Sequence, residues 1–207
     1  MKRKALVVML FMFSMIYVMG QGAGLANAAG DKGITELSDF KGKTFYLAYN
    51  LHPDSRNNRL YSVNYQLDGG LVPWGTEVEV AKIGSRKAVL INTKTKDKYV
   101  YAIHKKTKKA TSLVEHFKKM LVSDIKPLKK KVASLSKLDQ KGIKEGHVKV
   151  GMSKKGTLIA LGYPPEFVTP DPMATGTWNY WYNRFKKFVV TFDAKGKVSQ
   201  LNGYPFK

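Results

Sequence analysis

Cysteine is absent from this 207-residue chain. That excludes disulfides, thiolate catalysis, iron–sulfur clusters and cysteine-based zinc sites. It also excludes a lipid-modified N-terminal cysteine. Acidic residues are few, 15 against 36 Lys and Arg, giving a formal charge of +21. A glycosidase-type carboxylate pair has few sources: Glu77, Glu79 and Asp171 are available, and the first two read as the solvent face of a strand. The four histidines, His52, His104, His116 and His147, fall in neither an H-E-x-x-H nor an H-x-x-H pattern. There is no G-x-S-x-G elbow. These patterns lead us to expect no enzyme activity, no cofactor and no metal. Arginine is scarce too, 5 residues beside 31 Lys. Arginine is the usual reader of phosphates and base edges, so the cationic charge is not read as nucleic-acid binding. Aromatics are plentiful, with 11 Tyr, 10 Phe and 3 Trp, and they can furnish a core.

Only one long apolar run occurs. Lys2, Arg3 and Lys4 precede an apolar stretch at 5–19, broken by Ser14 and Tyr17. Small residues at Ala26 and Ala28 then suit cleavage after Ala28. The run is short for a bilayer span, which needs ~20 residues. We therefore expect a cleaved signal peptide at 1–28 and an exported product, periplasmic where an outer membrane exists. Losing three cations from the +21 chain leaves +18.

Three zones follow. Segments 43–49, 60–66, 76–82, 87–92 and 98–104 are rich in β-branched and aromatic residues and read as strands. In 76–82, Val78 and Val80 alternate with Glu77 and Glu79. Asp68-Gly69-Gly70, Pro73-Trp74-Gly75 and Gly84-Ser85 supply turns. A Lys-rich zone at 105–141 holds a helix over about 112–122, with Ser112 and Glu115 in capping positions and Leu113, Phe117 and Leu121 on one face. Pro127 bars its continuation, so 123–133 reads as a linker. A short helix is expected at 134–141, with Gly142 as its breaker. A second helix should start at the Ser153 N-cap and end at Gly162 before Pro164-Pro165. Gly151–Thr157 fits G-x-x-x-x-G-[ST], but the phosphate-binding lysine after the second glycine is missing, so it reads as a helix start. Strands at 176–183, 186–193 and 197–202 close the chain.

Two surface features stand out. Between Lys94 and Lys131 lie 13 Lys and three acids, a local +10. The bland reading is a solvated surface; the functional one is attraction to anionic lipid, lipopolysaccharide or acidic cell-wall polymer. Lys105, Lys106, Lys108 and Lys109 are its candidate contacts. In the segment from Trp178 to Phe185, Trp178, Tyr180 and Tyr182 share one strand face and Trp181 takes the other. Trp181 beside Arg184 is the candidate partner contact, and burial at the edge of the core is its bland alternative.

The stretch Leu71 to Val80 (LVPWGTEVEV) resembles a loop and strand of bacterial SH3-like domains. Further on, Gly151-Met152-Ser153, Leu161-Gly162-Tyr163-Pro164, Trp178-Asn179-Tyr180, and Phe192 with Gly196 and Val198 occur in one order. Over about 143–202 this resembles the BamE/SmpA/OmlA family of outer-membrane assembly proteins. Family members carry a lipidated N-terminal cysteine; this chain has none. The resemblances imply an α+β fold: an N-terminal SH3-like small β-barrel plus a C-terminal ααβββ two-layer module. The expected segments are the signal peptide at 1–28, the barrel at 40–104, a Lys-rich helix and linker at 105–133, and the BamE-like domain at 134–207. They imply a non-enzymatic, exported cell-envelope binding protein, peripheral to the outer membrane. Its expected partners are an envelope protein complex such as the β-barrel assembly machinery, and anionic lipid or lipopolysaccharide. Peptidoglycan binding through the SH3-like domain and inhibition of a secreted enzyme are the alternatives.

Overall fold

A computed structural model describes residues 33–206. The signal-peptide reading of 1–28 lies outside the described residues. The fold is α+β, with one curled six-stranded sheet forming a half-barrel, one three-stranded sheet and five helices. Among the described residues no helix is long and apolar enough to cross a membrane.

Six strands build the first sheet: β1 (Thr44–Leu47), β2 (Arg59–Tyr61), β3 (Glu77–Ile83), β4 (Lys87–Asn92), β5 (Lys98–Ala102) and β6 (Leu121–Val122). Their order is β2-β5-β4-β3-β1-β6. Only β2 and β5 pair in parallel; the other pairs are antiparallel. Alternation holds in β3, where Val78 and Val80 are fully buried and Glu77 and Glu79 are not.

Three sequence expectations are corrected here. The strand expected over 60–66 stops at Tyr61. Asn64 takes a positive φ of 52°, and its amide donates to the carbonyls of Leu161 (2.7 Å) and Tyr163 (2.8 Å) instead of continuing a ladder. The helix expected to run to Val122 stops at Met120, and Leu121–Val122 becomes edge strand β6 against β1. The expected linker at 123–133 contains helix α3 (Lys126–Ala133). Pro127 sits in the first turn of that helix, where the missing N–H costs no hydrogen bond. Leu128 and Val132, four apart, fasten α3 to the core.

The remaining helices are α1 (Lys105–Ala110), α2 (Leu113–Met120), α4 (Lys137–Glu145) and α5 (Lys154–Leu161). Ser112, Ser136 and Ser153 cap the last three, each accepting a backbone N–H through its hydroxyl. Gly142 does not break α4; it lies inside that helix because a side chain there would collide with Met152. Gly146, at φ 70° and ψ 21°, ends α4 in the left-handed region. At the start of α5, Asp139 accepts from the backbone N–H of Ser153 (2.7 Å) and its hydroxyl (3.1 Å). The helix terminus that resembled a phosphate loop is thus filled by the chain's own carboxylate.

The second sheet holds β7 (Thr177–Trp181), β8 (Lys187–Phe192) and β9 (Val198–Asn202), all antiparallel in that order. Buried side chains from both sheets join one hydrophobic cluster. Asn50, fully buried, stitches across it. Its amide donates to the carbonyls of Ile143 (2.8 Å) and Ala160 (3.1 Å), while its Oδ1 accepts from the N–H of Trp74 (2.8 Å).

Candidate functional site

The lysine candidates lie on α1. Thr107 is buried there and exchanges a hydrogen bond with Ser62 (2.9 Å), so the other side chains of the turn are pushed outward. Lys105, Lys106, Lys108 and Lys109 are all exposed. Lys108 and Lys109 suit the last turn of the helix, but Lys105 and Lys106 occupy its electropositive first turn. Such a placement is unfavourable by ~0.3–1 kcal/mol per charge, so helix stability does not explain it. His104 caps the helix, its Nδ1 accepting from the N–H of Lys106 (3.2 Å). Burial, helped by the charges of Lys106 and Lys105, keeps the imidazole pKa below its ordinary value.

Trp181 is not the exposed aromatic that its strand face implied. It is half-buried. Tyr65 stacks on it at 6.1 Å, Phe167 meets it edge-on at 5.8 Å, and its indole N–H is buried with no acceptor. The ammonium groups of Lys187 (4.9 Å) and Lys106 (5.9 Å) cover the ring. The physical reason is the turn at Asn64, which carries Tyr65 and Gln66 across this face of β7; the N–H of Gln66 donates to the carbonyl of Trp181 (3.1 Å). The fold therefore joins two candidates read separately in the sequence, Lys106 and Trp181.

Arg184 is exposed, as expected, at the tip of the β7–β8 hairpin. Its guanidinium lies 4.3 Å from the centroid of Phe185. Phe185 is 76% exposed, and among the described residues it is the one aromatic left in the exposed class. Asn183 rigidifies the tip: its Oδ1 accepts from the N–H groups of Phe185 and Lys186, both at 2.9 Å. Phe185 was missed in the sequence as a site residue. Its signal was an aromatic placed within a polar turn, between Arg184 and the pair Lys186-Lys187.

Beneath this tip lies an open groove of about 860 Å³. One wall is the hairpin, with Tyr182, Asn183, Arg184 and Phe185; the other is the loop from Asp54 to Asp68, with Tyr61 and Tyr65. Tyr61 and Tyr65 pack at 5.0 Å. Arg56 grips Asp54 through two bonds (3.1 and 3.0 Å), which hold that carboxyl below its usual range. Asp68 accepts from the hydroxyl of Ser55 (3.3 Å).

A second polar cluster is closed. Burial, with the charge of Glu166, drives the pKa of the Tyr101 phenol far up, and its hydroxyl shares a hydrogen bond with Nε2 of His116 (2.8 Å). The other ring nitrogen then donates to Glu166 (3.2 Å). Burial pushes the pKa of the Glu166 carboxyl up, but hydrogen bonds from His116 and Lys119 and the Lys119 charge outweigh it, holding it below its ordinary value. Lys119 donates to the same oxygen at 3.3 Å. The space beside these groups is about 10 Å³, no larger than a water. The cluster fastens α2 to the loop after α5. Among the described residues no three acidic or histidine side chains converge to hold a metal ion.

No protein-family profile matches the chain, no curated protein matches it, and no solved structure matches it.

Proposed function

We propose that the chain is an exported, non-enzymatic binding protein of the cell envelope that docks on anionic lipid. The observation that carries this reading is Phe185, exposed on a hydrogen-bonded turn between Arg184 and Lys186-Lys187. Lys106 of α1 and Lys187 both pack on the Trp181 ring, which links the hairpin to the lysine helix. An aromatic ring inserted among headgroups contributes ~1.5–3 kcal/mol when fully buried, and each cation near an anionic bilayer ~1 kcal/mol. Neither contribution needs a reaction at the surface. The closed hydrogen-bonding of Tyr101, His116 and Glu166 supports a structural role for the polar cluster with most resemblance to a catalytic relay.

The test is sedimentation of residues 29–207 with phosphatidylcholine vesicles, with and without phosphatidylglycerol. Binding should require the anionic lipid and weaken as salt rises. Replacing Lys105, Lys106, Lys108 and Lys109 by Ala should weaken it at least tenfold. Equal binding to neutral vesicles, or full binding by the four-lysine variant, overturns the reading.

A second reading concerns the protein partner. The order α4, α5, β7, β8, β9 agrees with the order implied by the BamE-like resemblance and supports docking on the β-barrel assembly machinery. Cross-linking and pull-down from outer-membrane fractions tests it. The SH3-like reading of the half-barrel predicts sedimentation with purified peptidoglycan instead.

A further inference from the structure

We infer that the groove between the Asp54–Asp68 loop and the β7–β8 hairpin is a saccharide site, taking a short acidic oligosaccharide segment. The inference takes export from the reading above and shares Arg184 and Phe185 with it, but adds the groove walls beneath the tip, Tyr61, Tyr65 and Asp68.

Three observations carry it. The first is size. About 860 Å³ falls within the ~300–1,000 Å³ usual for small-molecule sites, too little for a folded protein. The second is composition. Sugar rings present apolar C–H faces and a fringe of hydroxyls, and they need aromatic rings beside planar polar groups. Tyr61, Tyr65 and Phe185 supply the rings. Asp68 and Asn183 supply planar polar groups, and Arg184 adds a forked donor. A lipid chain has no use for the Asp68 carboxylate of this groove; a hydroxylated ring does. The third is preorganisation. Arg56 is fixed by Asp54, Tyr65 by Tyr61 and Trp181, and the hairpin tip by Asn183. Binding therefore freezes few side chains.

The charge preference comes from the rim. Within the groove, Arg56 and Arg184 balance Asp54 and Asp68. Directly after the groove-lining Phe185 come Lys186 and Lys187, both exposed. A carboxylate-bearing sugar thus meets hydroxyl acceptors inside and cations at the edge, whereas a neutral sugar gains only the first.

The experiment is titration of the mature chain with trigalacturonate and with cellotriose, followed by intrinsic fluorescence and calorimetry. Trigalacturonate should bind at least tenfold more tightly than cellotriose. Asp68→Asn should weaken it about tenfold, equivalent to ~1.4 kcal/mol; Phe185→Ser should do the same. A circular dichroism melt on each variant separates lost binding from lost folding. No binding of either sugar by the folded wild type overturns the inference. So does trigalacturonate binding that survives both substitutions, since that is attraction to charge alone. Equal affinity for cellotriose overturns the acidic preference. These probes contain no lipid and the vesicles contain no sugar, so failure here is distinct from failure of the lipid reading.

Discussion

Two clusters in this molecule use the same ingredients to different ends. Tyr101, His116 and Glu166 are buried together, with Lys119 half-buried beside them, and they use their hydrogen-bonding capacity on one another. Tyr65, Arg184, Phe185 and Asp68 line an open groove. Residue type does not separate them, since each contains aromatics, a cation and a carboxylate. Access does, together with how much of the bonding capacity is already used inside the protein.

The closed cluster should fail in stability. Glu166→Ala leaves His116 and Lys119 without their acceptor, and a loss of about 3–5 kcal/mol is expected in urea unfolding. Wild-type stability in that variant would break the comparison. Buried histidine sharpens it further. His52 is 5% exposed, and burial lowers its pKa to about 4 against 6.5 for the free group. The unfolded chain therefore binds the proton first as pH falls. His52 stability is fully present above pH 6.5 and declines between 6.5 and about 4, by ~3 kcal/mol at most. Unfolding free energies from pH 7.5 to 4 should show this slope, and His52→Asn should flatten it. The smallest effect belongs to the open surface. Phe185→Ser should change unfolding free energy by no more than ~0.5 kcal/mol, because its ring is not in the core. A larger loss would mean that the hairpin tip is structural.

Much of the fold was legible in the sequence where a local rule and the tertiary environment agree. Ser112 and Ser153 cap the expected helices, and Val78 and Val80 point inward. The misses lie where one residue admits two roles. Leu121 continues the apolar face of α2, yet pairs with Leu47 as strand. Pro127 ends a helix in mid-span and begins one in the first turn. Gly142 suits a breaker but is required inside α4 by the close approach of Met152. For the surface, Lys106 and Trp181 were each legible as unusual residues. Their convergence was not, because the turn at Asn64 that brings Tyr65 over Trp181 depends on acceptors almost a hundred residues away.

That dependence reaches into the order in which the chain can assemble. The edge of β1 is completed by β6 at Leu121–Val122, and the acceptors for Asn50 are the carbonyls of Ile143 and Ala160. A chain emerging N-terminus first would present β1 long before either partner exists. Its half-barrel cannot finish early, so folding waits for distant sequence and should be slow for a chain of this size. Such a chain has no finished sheet until most of its length is present.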